Sequence, residues 1–333
     1  MFKKAVIVIT LVVSLFLTST GIASACTIFT ISDEDMVFFG NNEDYSNPNT
    51  YYWVDTPEDE KYSGVYFGFD NFWPQGGINE KGLAFDINSL RETPLNPHPE
   101  RPFFNDYEGY SILRNCATVD EVIEYVQQFN WGSAMWGQIH VADASGDAVV
   151  IGPGIDGELA FTRKLAGDGF IISTNFNVAE GYEYDNDCDR YETALDMLSA
   201  VGTEERLTLD YVSSVLDAVH VQGIGTNTLY STIYDLKKGK IFVYYYHDYD
   251  EVVELNVAET LSVVNEPVAL SELFPSSIVE AAASEHSRYV FWEIFLKTLI
   301  IVVPIVAAIL VFFIVRRRRK RKGKIGESVG AGQ

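Results

Sequence analysis

Residues 26–45, CTIFTISDEDMVFFGNNEDY, decide the reading of this chain. CTIFTIS alternates apolar and polar residues, Asp33-Glu34-Asp35 turns, and MVFFGNN runs extended, so the stretch reads as strand, turn, strand. Asn42-Glu43-Asp44-Tyr45 is expected to follow as a loop. Just upstream, Ala23-Ser24-Ala25 places small residues at both positions that signal cleavage requires, after Lys3, Lys4 and an apolar run over 5–17. A cut after Ala25 would leave Cys26 first, with a thiol and a free α-amine on one carbon at the head of a strand. An α-amine has a pKa of roughly 7.7–8.0, so nucleophile and base would arise from one processing event.

Working outward, the strand signals continue over 50–54 and 62–69, both aromatic, with a turn expected at Gly76-Gly77. GINEKGLAFDINS reads as a hairpin turning at Glu80-Lys81-Gly82, with Asn88 in its second strand. A Pro-rich loop (Pro94, Pro97, Pro99, Pro102) leads to a helix over 107–115. Thr118 and Glu121 then have capping-box spacing for a helix to about 129. Strands are expected over 137–142, 148–152, 159–163 and 169–174, helices over 189–200 and 208–220, and last strands over 228–235 and 240–246. Strands, helices, strands, helices, strands is an α+β order, not alternating βαβ.

The chain has 333 residues and is 47% hydrophobic, enough for one sizeable core. Residues 298–315 are 18 uncharged, mostly aliphatic positions, followed by seven consecutive cations at 316–322. Such a run is long enough to span a bilayer, and the basic flank marks the cytoplasmic side. The expected domains are a signal peptide (1–25), a catalytic domain (26–256), a stalk (257–288), a transmembrane helix (289–315) and a basic cytoplasmic tail (316–333). Residues 26–288 hold 13 Lys and Arg against 45 Asp and Glu, a net charge of −32. That balance argues against nucleic acid as a partner.

Conventional catalytic signatures are missing. There is no G-x-S-x-G elbow, no H-E-x-x-H, and the five histidines show no ligand spacing. No cofactor or metal is called for. Asp185, Asp187 and Asp189 start like a calcium loop, but Arg190 stands where Gly is needed and Asp196 where Glu is needed, so an acidic helix start is expected. Cys116 and Cys188 either pair or remain free thiols. Tyr51, Tyr52, Trp53, Phe72 and Trp73 either line an acyl pocket or pack the sheets.

The opening stretch resembles the choloylglycine hydrolase and penicillin V acylase family and the related acyl-coenzyme A:6-aminopenicillanic acid acyltransferase group, which are N-terminal-nucleophile (Ntn) hydrolases. The family's G-R-N-x-D motif reads here Gly40-Asn41-Asn42-Glu43-Asp44. The resemblance continues through Asn79-Glu80-Lys81-Gly82-Leu83, Asn88, Leu113-Arg114-Asn115, Thr174-Asn175, Arg190-Tyr191 and 230–235. It implies a four-layer αββα Ntn-hydrolase sandwich, here with one C-terminal transmembrane helix. It also implies roles: Cys26 as nucleophile, Asp44 holding the α-amine, and Asn88 (backbone N–H) with Asn175 (side-chain amide) as oxyanion donors. Arg190 matches a position beside a helix start, for which a structural role is expected. The chain departs from the pattern where Asn41 replaces the motif arginine, and where Thr226, Asn227 and Thr228 stand in place of a late arginine.

The function implied is an extracytoplasmic, membrane-anchored hydrolase or acyltransferase that cleaves a linear amide in a small-molecule N-acyl substrate through an acyl-cysteine intermediate. The alternative is a non-enzymatic surface lipoprotein or acyl-amide-binding protein with a modified Cys26, since Ala23-Ser24-Ala25-Cys26 partly matches a lipobox. Oligomeric state is not legible.

Overall fold

The computed structural model describes residues 26–58, 61–104, 107–180 and 188–330. The expected signal peptide, Asp185 and Asp187 lie outside the described residues. Two antiparallel sheets form the centre. The first has the order β10-β1-β2-β11-β12-β13: Phe170–Ser173, Thr27–Ser32, Val37–Tyr45, Asn227–Asp235, Lys240–Tyr245 and Asp248–Asn256. The second has the order β14-β3-β4-β5-β6-β7-β8-β9. Its strands are Val268–Ala269, Thr50–Asp55, Gly64–Phe69, Pro74–Asn79, Ala84–Pro94, Ala134–Ala142, Ala148–Pro153 and Leu159–Lys164. Helices α1 (Glu108–Asn115) and α2 (Val119–Val126) cover the second sheet; α3 (Asp189–Ala200) and α4 (Leu209–Ala218) cover the first.

The period of two residues builds the layers. Ile28, Val37, Phe39, Tyr230, Tyr234, Val65, Phe67, Ile78 and Ala84 face inward and form the core between the sheets. Their neighbours Phe29, Ile31, Phe38 and Ile233 face outward under Ala194, Leu198, Val212, Val215 and Leu216 of α3 and α4. Leu83, Phe85, Val141, Val149 and Ile151 do the same under Ile112, Leu113, Val119, Val122 and Val126 of α1 and α2. The result is an α-β-β-α sandwich of the Ntn-hydrolase kind. The capping spacing is realised: the Thr118 hydroxyl accepts from Glu121 N–H (3.2 Å), and Glu121 Oε2 accepts from Ala117 N–H (2.6 Å).

Several local expectations change. The residues 42–45 are not a loop but the end of β2, paired with β11 through Asp44 opposite Thr228. Gly76 and Gly77 sit within β5, not at a turn. They are needed for close approach: a Cβ on Gly77 would lie 2.6 Å from the Val65 carbonyl, and one on Gly76 would collide with the Asp86 carboxyl. Strand β13 follows the last expected strand; it is a half-exposed acidic edge, and that charge hid it. The expected stalk over 257–288 is largely part of the head. Residues 257–263 form helix α5 (Val257–Val263), β14 pairs with β3, and Val257, Leu270, Phe274 and Ala282 are buried in the central core. Compact packing runs through His286. Helix α6 (Ser276–Gly330) continues past it. Its Ser276–Arg318 part contains an 18-residue window of mean hydropathy 3.2, none of it buried, which makes it a candidate membrane span. No disulfide joins Cys26, Cys116 and Cys188 to one another. Tyr52 and Trp53 pack in the cores, whereas Phe72 and Trp73 are exposed.

Candidate active site

Cys26 lies at the head of β1, and the strand period puts its side chain on the inner face with Ile28 and Thr30. It is 2% exposed. Its thiol points at Glu43 Oε1, 3.8 Å away on the neighbouring strand β2. Its carbonyl oxygen accepts two donors: Asn88 Nδ2 from β6 at 3.3 Å and Arg190 Nη1 from the first turn of α3 at 2.9 Å.

Arg190 is the hub. The same Nη1 donates to Thr27 Oγ1 (2.8 Å), and Nη2 donates to Asn175 Oδ1 (3.0 Å). Nη1 also lies 3.8 Å from Asp44 Oδ2, a fully buried carboxyl. The planar fork suits this task, because several acceptors are met at fixed angles by one rigid group. With Asn175 Oδ1 occupied by Arg190, the amide nitrogen is oriented; one of its N–H groups goes to the Ser89 carbonyl at 3.0 Å. An amide nitrogen carries two donors, and the second meets no acceptor among the described residues.

The four residues singled out by resemblance, Cys26, Asp44, Asn88 and Asn175, are therefore gathered in one network. Arg190, expected to be structural, joins them. Three further residues escaped the sequence reading: Glu43, Asp86 and Thr228. Strand parity carried a signal for two of them, since Glu43 shares the inner face with Phe39 and Asp86 with Ala84. Thr228 stands where the late arginine is missing, and its hydroxyl donates to Asp44 Oδ1.

Supporting contacts tie the sheets together behind the site. His140 bridges Thr30 Oγ1 (3.0 Å) and Ser173 Oγ (2.9 Å), and burial pulls its pKa down to about 3, so it serves as a neutral ring. Gln138 Nε2 donates to the carbonyls of Thr174 (2.8 Å) and Phe176 (2.9 Å), fixing the turn that carries Asn175.

The electrostatics are dominated by buried carboxyls. Burial first, then the charges of Glu43, Asp44 and Asp86, push the Cys26 thiol well above the usual range. Burial raises Asp44 to about 7, against the Thr228 hydroxyl and the Arg190 charge, which hold it down. Glu43 and Asp86 are both raised, chiefly by burial and then by neighbouring carboxylate. Such surroundings keep the thiol protonated, so attack on a carbonyl needs a group that takes the proton. Among the described residues no group of three or more His, Cys, Asp or Glu is arranged to hold a metal ion.

Comparison with known proteins agrees with this architecture. The family acyl-coenzyme A:6-aminopenicillanic acid acyl-transferase matches residues 31–248, a segment that begins after Cys26. Similar solved structures include penicillin V acylase from Agrobacterium tumefaciens, with a TM-score of 0.54 and 19% identity, covering 66% of this chain and 82% of that one. They also include a mutant conjugated bile acid hydrolase from Clostridium perfringens, with a TM-score of 0.57 and 15% identity, covering 73% and 96%. A second variant of that hydrolase matches at a TM-score of 0.57 and 16% identity, covering 73% and 96%. No curated protein matches by sequence. The sandwich is that of the Ntn hydrolases, and the chain belongs to the acyl-coenzyme A:6-aminopenicillanic acid acyl-transferase family.

Proposed function

We propose that this protein is a cysteine-dependent amidase or acyltransferase acting on linear amides of small N-acyl substrates. Proteolysis after Ala25 makes it competent, and α6 holds it by a single span with the sandwich outside and the basic tail inside. The observation that carries the reading is the convergence of Asn88, Arg190 and Asn175 on the backbone and surroundings of Cys26. Once Cys26 is the first residue, its α-amine has the buried Asp44 carboxyl beside it, a charge-assisted contact when the amine holds a proton. The sulfur attacks the acyl carbon as the thiol proton passes to the α-amine, the oxyanion is met by Asn175 Nδ2 and the Asn88 backbone N–H, and on collapse the C–N bond breaks as the leaving amine takes that proton. Such donors contribute about 2.7–4 kcal/mol each to the barrier. Water or a second amine then takes the acyl group from sulfur.

Intact-mass measurement of the purified full-length protein should give Cys26 as the first residue with a free thiol. A diacylglycerol adduct at Cys26 would instead mark a lipoprotein. On a panel of N-acyl amides, Cys26→Ser should lose at least about 100-fold in turnover. A wild-type protein with free N-terminal Cys26 that cleaves and transfers nothing across the panel overturns the proposal.

A further inference from the structure

Where the late arginine is missing, β11 carries a threonine that the amidase reading leaves unused. Thr228 lies opposite Asp44 of β2. A one-residue bulge sets that register: Thr228 pairs with Asp44 and Tyr230 with Glu43, so Leu229 is extra. Leu229 and Tyr230 both pack into the central core. Without the extra residue, Thr228 would share the inner face with Tyr230. The bulge turns it to the outer face instead. There Asn42 reaches the Leu216 carbonyl of α4, and Asp44 meets Arg190 of α3.

The Thr228 hydroxyl is fixed in direction. It accepts from the Val221 N–H at 2.8 Å, and the Thr228 N–H donates back to the Val221 carbonyl at 2.8 Å. A hydroxyl has one proton to give, and this one goes to Asp44 Oδ1. The pair closes the neck of the loop over 221–228, and Gly223 N–H donates to Asn227 Oδ1 (2.9 Å) within it. Thr228 and Asp44 are both fully buried. The second carboxyl oxygen, Asp44 Oδ2, lies 3.8 Å from Arg190 Nη1, the nitrogen that also holds the Cys26 carbonyl. One oxygen of Asp44 is therefore tied to β11, and the other is turned toward the surroundings of residue 26.

We propose that Thr228 is the positioning residue for Asp44: its hydroxyl, aimed by Val221, pins Oδ1 so that Oδ2 is presented to the α-amine of Cys26. This rests on the reading of Cys26 as the processed N-terminal nucleophile. A hydrogen bond to a carboxylate favours its charged form. A neutral donor does so without cancelling the charge. Arg190 already supplies one cation beside Asp44, and a second at position 228 would compete with the α-ammonium that forms when the amine takes the thiol proton. A threonine orients the carboxylate and leaves its charge for that ammonium. The groups that face Asp44 are Arg190 from α3, Cys26 from β1, Glu43 beside it on β2 and Tyr249 from β13.

The test compares Thr228→Val, which keeps the shape and removes the hydroxyl, with Thr228→Ser, which keeps the hydroxyl. The first measurement is turnover by the full-length, processed protein in detergent, on the N-acyl amide that the wild type cleaves fastest. Thr228→Val should lower kcat by about tenfold or more, within what a misplacement of about 1 Å costs. KM should stay within about twofold, because Thr228 does not touch the substrate, and Thr228→Ser should keep kcat within about threefold. A valine variant with wild-type kcat overturns the proposal, and so does a serine variant as slow as the valine one. The second measurement needs no substrate. In the uncleaved full chain Asp44 has a pKa of about 7, so it is protonated at pH 5 and largely ionised at pH 8. Losing the acceptor for Val221 N–H costs stability at both values, whereas losing the donor to the carboxylate costs more at pH 8. The deficit of Thr228→Val in urea midpoint should therefore widen by about 0.4 M from pH 5 to pH 8. An equal deficit at both values overturns the proposal. If the wild type cleaves no amide, the amidase reading fails by itself, and the urea series still decides whether Thr228 holds Asp44.

Discussion

Replacing Arg190 with methionine keeps the stem and deletes the guanidinium. Three donations disappear: to Cys26 O (2.9 Å), Thr27 Oγ1 (2.8 Å) and Asn175 Oδ1 (3.0 Å). The ion pair to Asp44 at 3.8 Å goes as well. A hydrogen bond from a charged donor is worth about 1.5–3 kcal/mol, and removing one partner of a buried pair costs about 3–5 kcal/mol. These contributions share one group and do not add. The Arg190 side chain is also 20% exposed, so solvent screens part of its charge. A net loss of about 3 kcal/mol is expected, at the low end of the range for a buried pair. At about 2–4 °C per kcal/mol for a domain of this size, the melting temperature should fall by about 6–12 °C. The loss has a functional half. Asn175 loses the contact on its Oδ1 that aims its nitrogen, and an oxyanion donor is worth about 10²–10³ in kcat. Arg190→Lys restores charge near Asp44 but not the fork, so it should recover stability more than turnover. Thermal melts in detergent and amide turnover on the three proteins check this. A methionine variant melting within about 2 °C of wild type would refute the energetic argument. A lysine variant with full turnover would refute the geometric one.

Asp44 gives a pH signature in the uncleaved chain. Its pKa is raised from 3.8 to about 7 on folding, so the folded state binds the proton more tightly. Stability is therefore full below about pH 4 and falls as pH rises toward 7, by up to about 4 kcal/mol at 1.36 kcal/mol per unit. Urea midpoints should show this decline in the wild type and lose it in Asp44→Asn; equal declines in both would assign it elsewhere. Cleavage should shrink the effect, because the freed α-ammonium lowers the Asp44 pKa. Gly109 in α1 lies against the buried Phe85 ring, where a Cβ would overlap the ring atoms. Gly109→Ala gains up to about 1 kcal/mol of helix propensity but costs about 1–3 kcal/mol in overpacking. A net drop in the urea midpoint is expected, and a rise would mean that the ring can move aside.

Much of the sandwich was legible because its signals are local. Alternation in CTIFTIS and MVFFGNN, the Thr118 cap and the turn at Gly82, where φ is +81°, are set by a few adjacent residues. Helix α3 begins and ends where its periodicity predicts, at Asp189 and Ala200. The misreadings are places where a distant partner decides. Gly76 and Gly77 look like a turn until β4 and Asp86 approach them. The segment after Asn256 looks like a stalk until β14 finds β3. The acidic β13 becomes a strand by pairing with β12.

The site divides in the same way. From the sequence alone came the expectation of a cleavage signal before Cys26 and the reading of Cys26 at the head of a strand, whereas the place of Asp44 on β2 rather than in a loop came from its pairing with β11. The strand reading rests on the two-residue period. Only tertiary structure decided what surrounds the sulfur. Arg190 is far from Cys26 in sequence, yet its fork joins Cys26, Thr27 and Asn175. Asp86 on β6 feels the charge of Glu43 on β2 only because two sheets pack face to face. The absence of an arginine at position 41 was readable in the motif; that a carboxyl pair occupies the inner face instead was not. A pairwise charge interaction depends on separation and burial, and both are set by packing rather than by spacing along the chain.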